Sequence, residues 1–165
     1  MLTIRPASKS DVNRITDIYN EAILNTTATF DTEIKTESER MQWFTAHDDL
    51  HPVIVAEFEG KVIGYASLTR WSDRCAYDGT AEVSVYVDHN FRGRGVGKKL
   101  LEVLTIEGEK VELHNLISRI SEGNLSSIHI HELFGFTHIG VMKEAGKKFG
   151  RFLDVHMMQK LLPKK

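Results

Sequence analysis

The chain has 165 residues, 41% of them hydrophobic and 27% charged, which is the balance of a globular protein and enough length for one domain with a full core, residues 1–165. The formal net charge of −2 and pI near 6.4 exclude a global basic field that would draw the molecule to nucleic acid or anionic lipid, so any anion site must be local. The single cysteine, Cys75, excludes an intrachain disulfide and fits a reducing compartment. Met1-Leu2-Thr3-Ile4-Arg5-Pro6 lacks a basic-then-apolar leader, and no apolar run approaches the roughly 20 residues of a spanning helix. A cytoplasmic protein is expected.

Leu2–Arg5 reads as a short strand stopped by Pro6, which lacks a ladder donor. Ser8 with Asp11 forms a capping signal that opens a helix to about Asn25, with Val12, Ile15, Ile18, Tyr19, Ala22 and Ile23 at helical spacing. Thr36 with Glu39 opens a second, shorter helix. Its buried face is expected from Met41 and Phe44, with Trp43 as a further candidate. The period then changes to that of strands, 52–56 and 61–68, joined by a Glu59-Gly60 hairpin turn. Ala81–Val87 is a third β-branched run. Gly95 to about Leu113 reads as helix, and Gly108 marks a point where it is expected to end or bend, because glycine costs about 1 kcal/mol against alanine there. A strand (116–121), a helix (124–134) stopped by Gly135, and two closing strands (136–142 and 152–158) complete the order. The fold class is therefore α/β in the α+β sense: a mixed, mostly antiparallel sheet with helices on both faces.

The most informative segment runs from Glu82 through Arg92-Gly93-Arg94-Gly95-Val96-Gly97-Lys98-Lys99, a strand leading through three alternate glycines into a helix. The first N–H groups of that helix have no partner in the helix itself, and glycine lets a phosphate approach them. Arg92, Arg94, Lys98 and Lys99 make the local field positive, so the segment reads as a pyrophosphate site. A Walker loop fails at Arg92 and Lys99, where it needs glycine and a hydroxyl; the G-x-G-x-x-G fingerprint fails at Lys98. No interleaved aromatics support a nucleic-acid patch. Coenzyme A fits best.

Arg92-Gly93-Arg94-Gly95-Val96-Gly97 resembles the R/Q-x-x-G-x-G/A motif of the GCN5-related N-acetyltransferases (GNAT), in the expected strand–loop–helix setting. A second family motif is matched by Asn124-Leu125-Ser126-Ser127 and His131-Glu132-Leu133-Phe134-Gly135-Phe136. Within the superfamily the chain looks most like the phosphinothricin and methionine sulfoximine/sulfone acetyltransferases, on Ile18–Glu21, Thr26–Phe30, Tyr77, Glu82–Val87 and Lys148–Asp154. The resemblance covers essentially the whole chain.

It implies transfer of acetyl from acetyl-CoA to a small amine by direct attack, without an acyl-enzyme, in a homodimer. Such a reaction needs a deprotonated amine, stabilisation of the developing oxyanion and a proton for the thiolate. Glu82 is the candidate base, at the start of the central strand, where partial burial would raise its pKa; pairing with a nearby cation is the plainer reading. His131 is the candidate acid, since histidine donates near neutrality; a helix histidine bonded to backbone is its alternative. Backbone at Val85 and Val87 is expected to hold pantetheine and polarise the thioester, and Asn124 and Ser127 to contact it, with Asn124 equally suited to be a helix cap. Phosphates are assigned to the segment from Arg92 to Lys98 (Arg92, Gly93, Arg94, Gly95, Val96, Gly97, Lys98). Phe30, Arg74 and Tyr77 are the candidate substrate contacts, the arginine suited to a carboxylate. The eight histidines lack ligand spacing, and His129 and His131 point to different sides of a helix, so no metal is expected.

Two other readings compete. One is an acetyltransferase for polyamines or protein N-termini, kept open by the acidic cluster Asp31, Glu33, Glu37 and Glu39. The other is a non-catalytic acyl-CoA-binding module, against which Glu82 and His131 argue.

Overall fold

The computed structural model describes residues 1–164. Seven strands form one sheet in the order β1-β2-β3-β4-β5-β7-β6. They are β1 (Leu2–Pro6), β2 (Val53–Phe58), β3 (Lys61–Arg70), β4 (Thr80–Val87), β5 (Asn115–Ser121), β6 (Thr137–Lys148) and β7 (Arg151–Leu161). The helices are α1 (Val12–Asn25), α2 (Glu37–Thr45), α3 (Val96–Lys110) and α4 (Leu125–Leu133). Every neighbouring pair is antiparallel except β4 and β5, which are parallel because the α3 crossover joins them.

Strand alternation sorts the core into two layers. Ile54, Ala56, Ala66, Leu68, Ala81 and Val83 face α3 with Val96, Leu100, Leu101 and Leu104. Val55, Val62 and Tyr65 face α1 with Ile15, Ile18, Tyr19 and Ile23. Ser8 N–H donates to Asp11 at 2.8 Å, as the capping signal requires, although the first turn is 3₁₀ over Lys9–Asp11. Glu59 and Gly60, both at positive φ, make the hairpin turn.

Three expectations need correction. In α2, Met41, Trp43 and Phe44 are only half-buried, and the buried residue is Arg40. Its guanidinium lies 3.8 Å from the Trp43 ring centroid and 4.2 Å from that of Tyr19, and donates to Tyr65 Oη at 2.9 Å. It has no carboxylate partner among the described residues, so aromatic faces take the place of a counterion. Secondly, α3 does not end at Gly108. A Cβ there would come 3.1 Å from Leu68 Cδ1, so glycine serves close packing of α3 on the sheet and the helix continues to Lys110. Thirdly, the last two strands are longer than expected, reaching Lys148 and Leu161. A two-residue turn, Phe149-Gly150 with φ of 53° and 77°, lets them pair up to Lys148↔Arg151.

Candidate active site

The site follows from where β4 and β5 part. They pair only at Thr80↔Asn115, Ala81↔Leu116 and Glu82↔Ile117, while β4 runs on to Val87 and β5 to Ser121. Beyond Glu82 one edge of β4 therefore has no strand beside it, and its main-chain groups face a cleft of about 520 Å³. Glu82, Val85, Asn124, Ser127, His131 and Phe30 all line that cleft, with Tyr19, Asp31, Ser118 and Arg119.

Alternation gives the cleft two sides. Ser118 shares its face of β5 with Leu116 and Ile120, which pack in the α3 layer. Arg119 points to the opposite face and meets Glu82; Tyr86, four residues on and on the same face of β4, packs in the α1 layer. The gap between the strands joins the sides.

On the α1 side, Glu82 is held by Arg119, with Oε2 accepting from Nε and Oε1 from Nη2, both at 2.6 Å. The fork raises the Arg119 pKa further, chiefly through these hydrogen bonds. Glu82 thus meets a guanidinium, and not the apolar surroundings expected of a solitary base. Tyr19 Oη donates to Asp31, and burial raises the Tyr19 pKa. Phe30 lies across Gly146, where any Cβ would collide with its ring.

On the other side, His131 is buried, and that burial lowers its pKa below the ordinary 6.5. Nδ1 stands 2.7 Å from the Ser127 carbonyl oxygen, which can only accept, so Nδ1 carries the proton. Nε2 then accepts from the Ser118 hydroxyl at 2.8 Å. In the neutral ring, Nε2 is an acceptor and not the donor expected of an acid. Asn124 Oδ1 accepts from Ser127 N–H at 3.3 Å and caps α4, as its alternative reading had it, while still lining the cleft.

The N-terminus of α3 lies beside the same strand, where a Cβ on Gly97 would come 4.0 Å from Cγ1 of the cleft residue Val85. Gly93 and Gly95 have φ of 77° and 82°, values that disfavour any other residue, and Gly95 is the helix N-cap without a side-chain cap. The N–H groups of Val96, Gly97 and Lys98 have no hydrogen-bond partner among the described residues, whereas Lys99 N–H already bonds to the Gly95 carbonyl. Gly97 has ordinary φ, and a Cβ there would lie 3.7 Å from Val87 Cγ2. Not all four cations are free. Arg92 pairs with Glu21 at 2.6 Å and Lys99 with Glu102 at 3.0 Å, while Arg94 and Lys98 form no ion pair among the described residues.

Arg74 and Tyr77 are not brought to the cleft; they lie in and beside an exposed 3₁₀ turn, Cys75–Tyr77. Sequence reasoning passed over Arg119 and Ser118. Their signal was present as a Ser-Arg pair inside the apolar run Leu116–Ile120, but only the placement of β5 beside β4 gives the pair a role.

Free helix N–H groups, two open cations and an unpaired strand edge suit a phosphorylated, amide-bearing ligand, and the comparisons agree. Residues 4–157 match the family described as "Acetyltransferase (GNAT) domain". The chain is 40% identical over 159 residues to the L-methionine sulfoximine/L-methionine sulfone acetyltransferase of Salmonella typhimurium, covering 96% of this chain and 93% of that protein. A phosphinothricin acetyltransferase from Sinorhizobium meliloti, solved in complex with acetyl-CoA, superposes with a TM-score of 0.95 at 37% identity, covering 98% of this chain and 88% of that one. A structure described as ribosomal-protein-alanine N-acetyltransferase from Brucella melitensis superposes at 0.94 with 40% identity, covering 97% and 99%. From motif, fold and cleft together, the chain belongs to the GNAT acetyltransferase family.

Proposed function

We propose that the protein transfers acetyl from acetyl-CoA to the primary amine of a small amino-acid-like substrate of the methionine sulfoximine, methionine sulfone or phosphinothricin type. The observation that carries this reading is the parting of β4 and β5 at Glu82, which puts a carboxylate and a histidine on the two sides of one gap. Acetyl-CoA supplies the activated acyl group. The N–H groups of Val96, Gly97 and Lys98, with Arg94 and Lys98, suit its pyrophosphate; the edge of β4 at Val85 and at the Val87 N–H, the Val87 carbonyl accepting from Arg92 Nε at 3.1 Å, suits its pantetheine with Asn124 and Ser127.

On the amine side, Glu82 takes a proton from the substrate ammonium, directly or through water, and Arg119 orients its carboxylate. Arg119 keeps a half-exposed side chain, and so supplies a cation for the substrate carboxylate that Arg74 does not supply within this cleft. Phe30 walls the same side. The hairpin of β6 and β7 leaves Ile139, Val141 and Phe152 in solvent, with Phe152 57% exposed, an apolar face suited to a second copy of the chain. Light scattering on the purified protein tests the homodimer. No helix among the described residues is long and apolar enough to cross a membrane, in keeping with a cytoplasmic enzyme.

The test of function is CoA release from acetyl-CoA with methionine sulfone, methionine sulfoximine, phosphinothricin, spermidine and a Ser-Ala-led peptide. Turnover confined to the first three supports the proposal. Turnover confined to the peptide transfers the activity to protein N-termini, the reading that the Brucella melitensis description favours.

A further inference from the structure

We infer that Ser118 is a catalytic residue, a hydroxyl relay that carries the reaction's proton between the substrates and His131. The inference rests on the acetyltransferase reading above and assigns a role to a side chain that no sequence motif marks.

The argument begins with the imidazole. Because the Ser127 carbonyl oxygen fixes the proton on Nδ1, His131 can exchange a proton only at Nε2, and Nε2 is covered by Ser118 Oγ at 2.8 Å. Ser118 and His131 both line the cleft, although both are buried to within 5% of full exclusion from solvent. The hydroxyl proton is committed to Nε2, so the lone pairs of Ser118 Oγ are what remains for a partner in the gap. Any proton reaching His131 from the reacting centre has Ser118 as its shortest route.

The chemistry balances on this pair alone. The amine nitrogen bonds to the acetyl carbon and becomes cationic. Its proton passes to Ser118 Oγ while the Ser118 hydroxyl proton passes to His131 Nε2, giving an imidazolium whose N–H groups are bonded to the Ser127 carbonyl and to Ser118. As the carbon–sulfur bond breaks, the sulfur keeps the electron pair and takes the proton back along the same path. Amide and CoA thiol leave, and Ser118 and His131 return to their starting states. Nitrogen and sulfur flank one carbon, so a single relay serves both. The lowered His131 basicity keeps the ring ready to accept near neutral pH and makes the proton easy to return. Glu82, on the other side of the sheet and held by Arg119, is left to deprotonate the incoming ammonium.

The test compares wild type, Ser118→Ala and Ser118→Thr in the full-length protein, reading kcat and KM against pH, with nitrogen-15 NMR of the His131 ring as a readout independent of turnover. The relay predicts the Nδ1–H tautomer in wild type, a kcat lowered about 10²-fold in Ser118→Ala, a largely unchanged KM for acetyl-CoA, and recovery in Ser118→Thr. It also predicts that the low-pH limb of the wild-type kcat profile, set by His131, shifts or disappears in Ser118→Ala. Wild-type kcat with an unmoved low-pH limb in Ser118→Ala overturns the relay and leaves the acetyltransferase reading standing. So does an Nε2–H tautomer near pH 7.5. A wild-type protein that binds acetyl-CoA but acetylates no amine in the panel overturns the functional reading and the catalytic role of Ser118 with it, whatever the tautomer.

Discussion

The two parts of the site, the α3 terminus with the adjoining strand edge and the cleft beside it, are built from different materials. The end at α3 is made of main chain: consecutive N–H groups, two left-handed glycines and a strand edge, all within residues 85–98. The other end is made of side chains drawn from α1, the loop after it, β4, β5 and α4, including Tyr19, Phe30, Glu82, Arg119 and His131. A main-chain site depends on backbone conformation and tolerates many side chains. A side-chain site depends on which strands lie together, and single substitutions there remove whole functions. The first end is suited to a constant donor, the second to an amine that differs among relatives.

The sharpest way to break this comparison is Glu82→Gln. It removes the proposed base and its anion while keeping the shape. We expect kcat to fall by roughly 10²–10⁴ with acetyl-CoA binding retained, measured by CoA release and calorimetry; loss of acetyl-CoA binding would show that the two ends are not separable. Next is Gly95→Val, which forces a β-branched residue to φ 82°. That strain costs about 1–3 kcal/mol, and we expect KM for acetyl-CoA to rise by one to two orders of magnitude while the ranking of amines stays fixed.

Gly146→Ala tests the side-chain end. Its Cβ must displace the Phe30 ring, so KM for the amine should change several-fold and KM for acetyl-CoA hardly at all. The smallest effect expected is on stability. His131 has a folded pKa below its unfolded value of about 6.5, so the unfolded chain binds more protons as pH falls through that window. Its contribution to stability is fully present above pH 6.5 and is lost progressively as pH falls towards the folded value. Denaturant titrations between pH 7.5 and 5 should show a decline that His131→Gln reduces.

The same contrast explains how much the chain revealed before it folded. The element order was legible because α1, α3 and the strands carry their own periods, α2 and α4 are marked by Thr36-Glu39 and by Asn124 and Gly135, and Glu59-Gly60 carries its own turn chemistry. The loop from Arg92 to Gly97 was legible because its ligands are neighbours in sequence. Glu82 and His131 were legible as candidates through family resemblance, but not their partners. Arg119 lies 37 residues from Glu82, and the pair forms only because α3 returns the chain to the parallel side of β4. Arg92 carries the motif yet spends its charge on Glu21, 71 residues away. Arg40 reads as a solvated helix cation until Tyr19, Trp43 and Tyr65 surround it. In each case the deciding contact is long-range, and no local period encodes it.

The short β4–β5 pairing has a consequence for motion. Among the described residues, three paired positions are the only strand pairing between the β1–β4 part of the sheet and the β5–β7–β6 part. Few hydrogen bonds need break for the parts to shift, so amides lining the seam should exchange with solvent by local opening well below the cost of global unfolding. A ligand that bonds to both walls acts as the missing rungs of the ladder. At a hundred times its dissociation constant it adds about 2.7 kcal/mol to the folded state, and the protection it confers should be concentrated along Val83–Val87 and Ser118–Ser121. The enzyme would then be stiffest when loaded and loosest when it must let its product go.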